Sequence, residues 1–406
     1  MKSGSARFDR ATLRAIPPGI WALGLVSMLM DVSSEMIHAL LPVYLVTVMA
    51  TSATTVGIIE GVAESTAAIT KVFSGALSDW LGKRKLLAVL GYGLASFSKP
   101  MFPLASTAGG LMAARFIDRI GKGIRGAPRD ALVADIAPER LRAACFGLRQ
   151  SLDTVGAFLG PLLAMLFMWL SSNQFRAVFW VAVVPAFLSL LLIVVAVRDP
   201  ERGVARGKPR FPLHREELAR LGRGYWLVIA IAVVFALARF SEAFLVLRAR
   251  AFGLPLTLVP VVLVVMNLVY SCGAYPVGVL ADSGGRRRLL ISGLLILVLA
   301  DLVLAYAQGV GGALAGAALW GLHMAFTQGL LAALVADHAP AELRGTAFGV
   351  FNLLTGVALL AASILAGRLW DLIGARGTFL AGAMFAAVAL GGLCLNQFIG
   401  VARRAR

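Results

Sequence analysis

The sequence predicts an all-α membrane protein with 12 transmembrane helices, arranged as two six-helix pseudo-symmetric bundles. Three observations predict it. Of the 406 residues, 59% are apolar and only 15% charged, against about 25% charged in an ordinary soluble protein. Ala177 to Val197 is an uncharged run of twenty-one residues, longer than the roughly 18 that separate a spanning helix from a buried core helix. At about 34 residues per helix plus loop, the chain has room for about twelve spans of the ~20 apolar residues that a bilayer requires.

Taken in order, apolar runs between charged or Gly/Pro breaks place spans near 18–47, 54–79, 86–105, 109–134, 145–170 and 176–197. Six more follow near 225–247, 256–281, 288–308, 312–337, 345–369 and 377–399. The first run is too long and lacks the small-residue cleavage site of a signal peptide, so it reads as an uncleaved helix. Between the sixth and seventh spans lies the one long polar stretch, with Pro200, Pro209 and Pro212. The expected domains are therefore an N-terminal bundle over 1–197, a cytoplasmic linker over 198–224 and a C-terminal bundle over 225–406. Cys145, Cys272 and Cys394 are widely spaced, show no metal or disulfide pattern, and read as core thiols.

The net charge of +17 would suggest a nucleic-acid partner in a soluble chain, but here the loops account for it. Lys and Arg gather in the N-terminal tail, at Lys83–Lys85, at Arg140 and Arg142, in the central linker, at Arg286–Arg288 and in the C-terminal tail. All of these fall on one side if the chain starts inside, whereas the loops near 50–55, 106–110 and 308–312 carry none. That bias predicts a cell inner (cytoplasmic) membrane protein with both termini cytoplasmic and anionic lipid headgroups against its loops. A nucleic-acid partner is excluded on this reading.

The halves are related. Val133–Gly147 (VADIAPERLRAACFG) and Val335–Gly349 (VADHAPAELRGTAFG) agree at nine of fifteen positions with an offset of 202. Gly75–Lys85 (GALSDWLGKRK) and Gly278–Arg288 (GVLADSGGRRR) pair at an offset of 203. Two motifs at nearly one offset imply parallel repeats, whose shared interface near the bilayer midplane is the expected binding site.

In the second repeated motif, a carboxylate ends one helix, glycine permits a tight turn, and cations meet the headgroups. Its first copy contains Gly75, Asp79, Gly82 and Arg84, and its second Asp282 and Arg287. This resembles the loop between helices 2 and 3, repeated between helices 8 and 9, of the major facilitator superfamily. The resemblance covers essentially the whole chain. It implies that the loop Asp and Arg latch the halves together, with Asp135 as the acidic partner at the cytoplasmic end of helix 4 and Asp130 as the alternative. Arg119-Ile-Gly-Lys-Gly123 is similar to that family's R-x-x-x-G motif in helix 4. Gly156-Ala-Phe-Leu-Gly160-Pro161 resembles its G-x-x-x-G-P motif in helix 5, which is associated with drug/proton antiporters, although helix packing or a kink would use the same residues.

A charge at a helix centre costs about 2.5–3.5 kcal/mol on insertion scales, so each one is expected to face protein or water. Asp31, Glu35 and His38 fall on one stripe of helix 1 at about 100° per residue. Helix 4 carries Arg115, Asp118, Arg119, Lys122, Arg125 and Arg129, most of them at i, i+3 or i+4 steps, and charge pairing between helices 1 and 4 is the expected arrangement. Helix 7 adds Arg239 and Glu242. In the family, helices 1, 4, 7 and 10 line the cavity, so the resemblance makes these residues candidates for proton coupling and substrate binding. Two readings stand open: Asp31 or Glu35 carries a coupled proton under the control of Arg119, or these charges form a permanent salt bridge. Glu60, Glu64 and Lys71 share a face of helix 2, where the two acids are expected to serve structure, while Lys99 is expected to snorkel at the outer end of helix 3.

The functional expectation is a secondary transporter that moves a small molecule by alternating access with proton-coupled efflux, acting as a monomer without cofactor. A proton-coupled importer of an organic anion or metabolite is the second reading. A metal permease is a third, resting on the Glu35-Met-Ile-His38 spacing, although no metal site is expected. The chain carries neither H-E-x-x-H nor G-x-S-x-G, so an enzyme is not expected.

Overall fold

The computed structural model describes residues 15–81, 83–198, 218, 220–280, 286–339 and 343–404. Gly82, Asp282 and the side chains of Asp79 and Arg287 lie outside the described residues, as does most of the expected linker. Among the described residues all regular structure is helical. The crossings are α1 (Pro18–His38, continued by Leu41–Thr47), α2 (Ala53–Leu81), α3 (Arg84–Ser98, continued by Met101–Leu104), α4 (Ala108–Ile136), α5 (Arg142–Leu170) and α6 (Phe175–Ala196). They continue with α7 (Arg223–Ala238, continued by Ala243–Ala251), α8 (Val261–Leu280), α9 (Arg286–Tyr306) and α10 (Val310–His338). The last helical stretch, Arg344–Arg404, breaks at Gly374, whose φ of 79° favours glycine, and so supplies α11 (344–373) and α12 (375–404).

Among the described residues, eight segments are long and apolar enough to cross a membrane, and the last of them, Thr346–Cys394, spans the Gly374 break. Helices α2, α3 and α4 complete the twelve. Residues such as Phe97, Trp169, Val195 and Leu372 are exposed, as expected where lipid rather than water is the solvent. Polar groups turn inward instead: Ser33, Ser96 and Ser189 each donate to a carbonyl of a neighbouring helix.

Within the first six helices, α1 packs on α5 and α6, and α4 packs on α2 and α3. Within the second six, α10 packs on α8 and α9, and the 344–404 stretch packs on α7 and α9. The halves meet along α2 with α11 and along α5 with α8. Two sequence expectations are corrected. Lys99 does not snorkel: it is buried where α3 breaks before Pro100, and its Nζ donates to Asp118 at 2.8 Å and to Ser34 at 2.9 Å. Nor is Cys272 a core thiol, since it is exposed, whereas Cys145 is buried.

Candidate functional site

The N-terminal half holds a chain of buried ion pairs. Arg115 donates to Glu60 at 2.8 Å and to His38 Nδ1 at 2.6 Å. A guanidinium has only donors, so Nδ1 of His38 must be the acceptor and the ring is neutral with its proton on Nε2. One turn along α4, Arg119 meets Glu64 at 3.3 Å, and Lys99 meets Asp118. The expected pairing of Arg115 and Arg119 with the carboxylates of helix 1 is therefore corrected: α2 supplies both acids. Helices α2 and α4 lie side by side and run in the same direction, so the four-residue step from Glu60 to Glu64 matches the step from Arg115 to Arg119.

Glycines set the spacing that makes this possible. A Cβ on Gly123 would stand 2.5 Å from Thr70 of α2, and one on Gly121 would stand 2.6 Å from the Gly91 carbonyl of α3. In α5, a Cβ on Gly156 would lie 2.6 Å from the Met28 carbonyl, and one on Gly160 would lie 2.6 Å from Glu35 Cβ. The glycines of the helix-5 motif thus let α1 approach closely at the two positions that present Asp31 and Glu35; Pro161 follows within the same unbroken helix.

Asp31 and Glu35 face a cavity of about 660 Å³ between the halves, within the ~300–1,000 Å³ of small-molecule sites. Its first wall includes Glu64, Lys71, Lys122, Arg125, Arg129 and Asp153, and its second includes Phe235, Arg239, Asn267, Tyr270 and Thr355. Lys71 and Lys122 are exposed although they lie in the middle of their helices, so solvent reaches the centre of the molecule. Of the sequence-predicted residues, Asp31, Glu35 and Arg239 line this space. His38, Arg115 and Arg119 instead form the buried layer behind it, and Glu242 stands where α7 is interrupted between Ala238 and Ala243 without joining the lining.

The two ends of the molecule differ. At the end bearing residues 50–55 the halves close on one another. Asp371 of α11 accepts from the Ala53 and Thr54 amides at 3.0 and 2.8 Å and from Thr54 Oγ1 at 2.6 Å. A Cβ on Gly367 would fall 2.5 Å from the Ala53 carbonyl, and one on Gly61 would sit 3.1 Å from Leu360. Thr257 donates to Asn173 at 2.7 Å across the same seam. At the opposite end, Arg84 of the repeated loop donates to Asp135 at 2.7 Å and to the Ala131 carbonyl at 3.0 Å, both within the first half. Asp130 is met by Arg129 and Arg149. Gly75 packs at ordinary distance against Ala127 of α4.

A family model described as Major Facilitator Superfamily matches residues 23–362. The chain belongs to the Major Facilitator Superfamily. It is a multi-pass membrane protein of a transporter family. An uncharacterized MFS-type transporter of Methanocaldococcus jannaschii is 32% identical over 381 residues, covering 92% of this chain and 94% of that protein. The quinolone resistance protein NorA of Staphylococcus aureus is 26% identical over 175 residues, 42% of this chain and 44% of NorA. Among solved structures, the nucleoside transporter NupG superposes with a TM-score of 0.76 at 12% identity, over 93% of this chain and 98% of that one. A bacterial homologue of the human lysosomal transporter Spinster gives 0.74 at 17% identity, over 95% and 97%. The solved structures share the major facilitator fold with this chain.

Several cavity residues were not singled out from the sequence. Asp153 carries no distinguishing pattern in the sequence. Asn267, Tyr270 and Ser271 did leave a signal, being three polar groups within one turn of an otherwise apolar span.

Proposed function

We propose that this superfamily member is a proton-coupled secondary transporter that moves a small molecule out of the cell by alternating access. The observation that carries the reading is the cavity between the halves, closed at one end by the α2–α11 seam and lined by Asp31 and Glu35. Neither carboxylate has a cation within ion-pair distance among the described residues, whereas Glu60, Glu64 and Asp118 are all paired. Acids free of a fixed partner beside water can take up and release protons. Acids locked to a lysine or arginine serve structure. The lysine- and arginine-rich loops support an inner-membrane location with both termini and the open end of the cavity cytoplasmic.

On this reading 1–197 and 225–406 move as two bodies joined by 198–224. A single chain supplies both walls of the cavity, so a monomer suffices. Efflux and membership of a drug/proton-antiporter subgroup draw on the partial likeness to NorA and on the helix-5 glycines. The metal reading loses its main support, because His38 is engaged by Arg115 and does not join Glu35 on the cavity wall. The test uses proteoliposomes with a trapped pH dye, driven by compounds that raise the melting temperature of the purified protein. Substrate-evoked proton movement is expected to disappear in Asp31→Asn or Glu35→Gln; unchanged proton movement in both variants would overturn the coupling.

A further inference from the structure

We infer that the cavity binds an organic anion with an apolar body, its charged group held between Lys122 and Arg125 on one wall and Arg239 on the other. This rests on the transport reading of the same cavity and adds the class of substrate. The first support is charge matching. Of the lining carboxylates, Glu64 is held by Arg119 and Asp153 by Arg149, at 3.3 and 2.5 Å. That leaves Asp31 and Glu35 unpaired on the acidic side. On the basic side Arg129 is held by Asp130 at 3.1 Å, whereas Lys71, Lys122, Arg125 and Arg239 have no ion pair among the described residues. Four unmatched cations against two unmatched carboxylates leave the space short of negative charge.

The second support is independent of that comparison. Arg125 is only 4% exposed, stacks over Tyr92 at 5.0 Å, and keeps Nη1 without any hydrogen-bond acceptor. A buried guanidinium donor without an acceptor forfeits the hydrogen bond that water would give it, and an anionic oxygen supplies what it lacks. The third is the asymmetry of the walls. Among the described residues the second half contributes no carboxylate to the lining; Arg239 is its charged group, beside neutral polar groups such as Asn267 and Tyr270 and apolar surface that includes Phe235. Arg239 sits over the Phe235 ring at 6.0 Å, at the point where α7 is interrupted. A carboxylate, sulfonate or phosphate bridging Lys122 and Arg239 would therefore contact both halves at once, with an apolar group against Phe235 and Tyr270.

The experiment compares matched aromatic probes that differ in charge: benzoate, benzenesulfonate, phenyl phosphate, benzyl alcohol and benzyltrimethylammonium. Each is titrated against the purified full-length protein, and the melting temperature is read. At least one anionic probe is expected to stabilise the protein in a saturable way, with the alcohol and the cation inert. Lys122→Gln and Arg239→Gln are each expected to weaken that anion about tenfold, and Arg239→Lys to weaken it less. The melting temperature without probe identifies any variant that is misfolded, and Arg239→Lys then carries the comparison. Stabilisation by the cation alone, no stabilisation by any anion, or anion binding unaffected by every variant would overturn the inference. Anion binding that meets these expectations while proteoliposomes show no coupled movement would uphold the site and instead count against the transport reading.

Discussion

Removing the Asp371 carboxylate tests whether the seam between α2 and α11 is a closure that must open. Asp371→Ala deletes three hydrogen bonds, from two amides of the first turn of α2 and from Thr54 Oγ1. An N-terminal cap of this kind contributes about 0.5–2 kcal/mol, and Asp371 is largely exposed, so a figure near ~1 kcal/mol is appropriate. Helix α2 keeps a local cap, because Ser52 Oγ accepts from the Thr55 amide at 3.2 Å. The loss therefore weighs on contact between the halves rather than on the helix. About 1 kcal/mol is about a fivefold change in an equilibrium constant. The assay is the labelling rate of Ser363→Cys, a buried seam position, by a membrane-impermeant maleimide, with Cys145, Cys272 and Cys394 replaced by serine. The rate is expected to rise about fivefold in Asp371→Ala, and less in Asp371→Asn, which keeps one acceptor oxygen. A rate within twofold of the parent would refute the idea that this bond set holds the end shut.

Two further outcomes follow from the buried layer and the helix-5 glycines. Glu60→Gln or Arg115→Met leaves a charge without its partner in the interior, and each is expected to lower unfolding stability by about 3–5 kcal/mol; in Glu60→Leu with Arg115→Met much of that loss should return, read by thermal unfolding. Gly156→Leu places atoms against the Met28 backbone, which cannot yield as a side chain can, and is expected to cost about 1–3 kcal/mol. Gly147→Ala, with nothing within 4 Å of its Cβ, should instead be neutral or stabilise by up to about 1 kcal/mol in the same assay.

The fold was legible because lipid imposes a simple code: uncharged runs of spanning length, basic loops on one side, and two motifs repeated at one offset. The candidate site was legible in part. Asp31 and Glu35 were marked by the cost of a carboxylate in a span, and both line the cavity. Their partners were misassigned because periodicity fixes the face of a residue on its own helix and not which helix lies opposite. Matching the Glu60–Glu64 step to the Arg115–Arg119 step on helices of the same direction would have found the real pairs. Lys99 was misplaced for another reason: a lysine before proline at a helix end is ambiguous until the break turns it inward toward Asp118. Asp371 gave no signal, since capping a helix in the other half depends on a contact between residues more than three hundred positions apart in the chain.

Distance measurements between spin labels test alternating access most directly. One pair, Leu170→Cys and Leu258→Cys, flanks the closed seam, and the other, Arg142→Cys and His338→Cys, flanks the opposite end; all four positions are exposed. Between acidic and alkaline buffer in liposomes, the first distance is expected to lengthen as the second shortens, with two populations exchanging at each. Distances that stay fixed at both ends, or that lengthen together, would contradict the account.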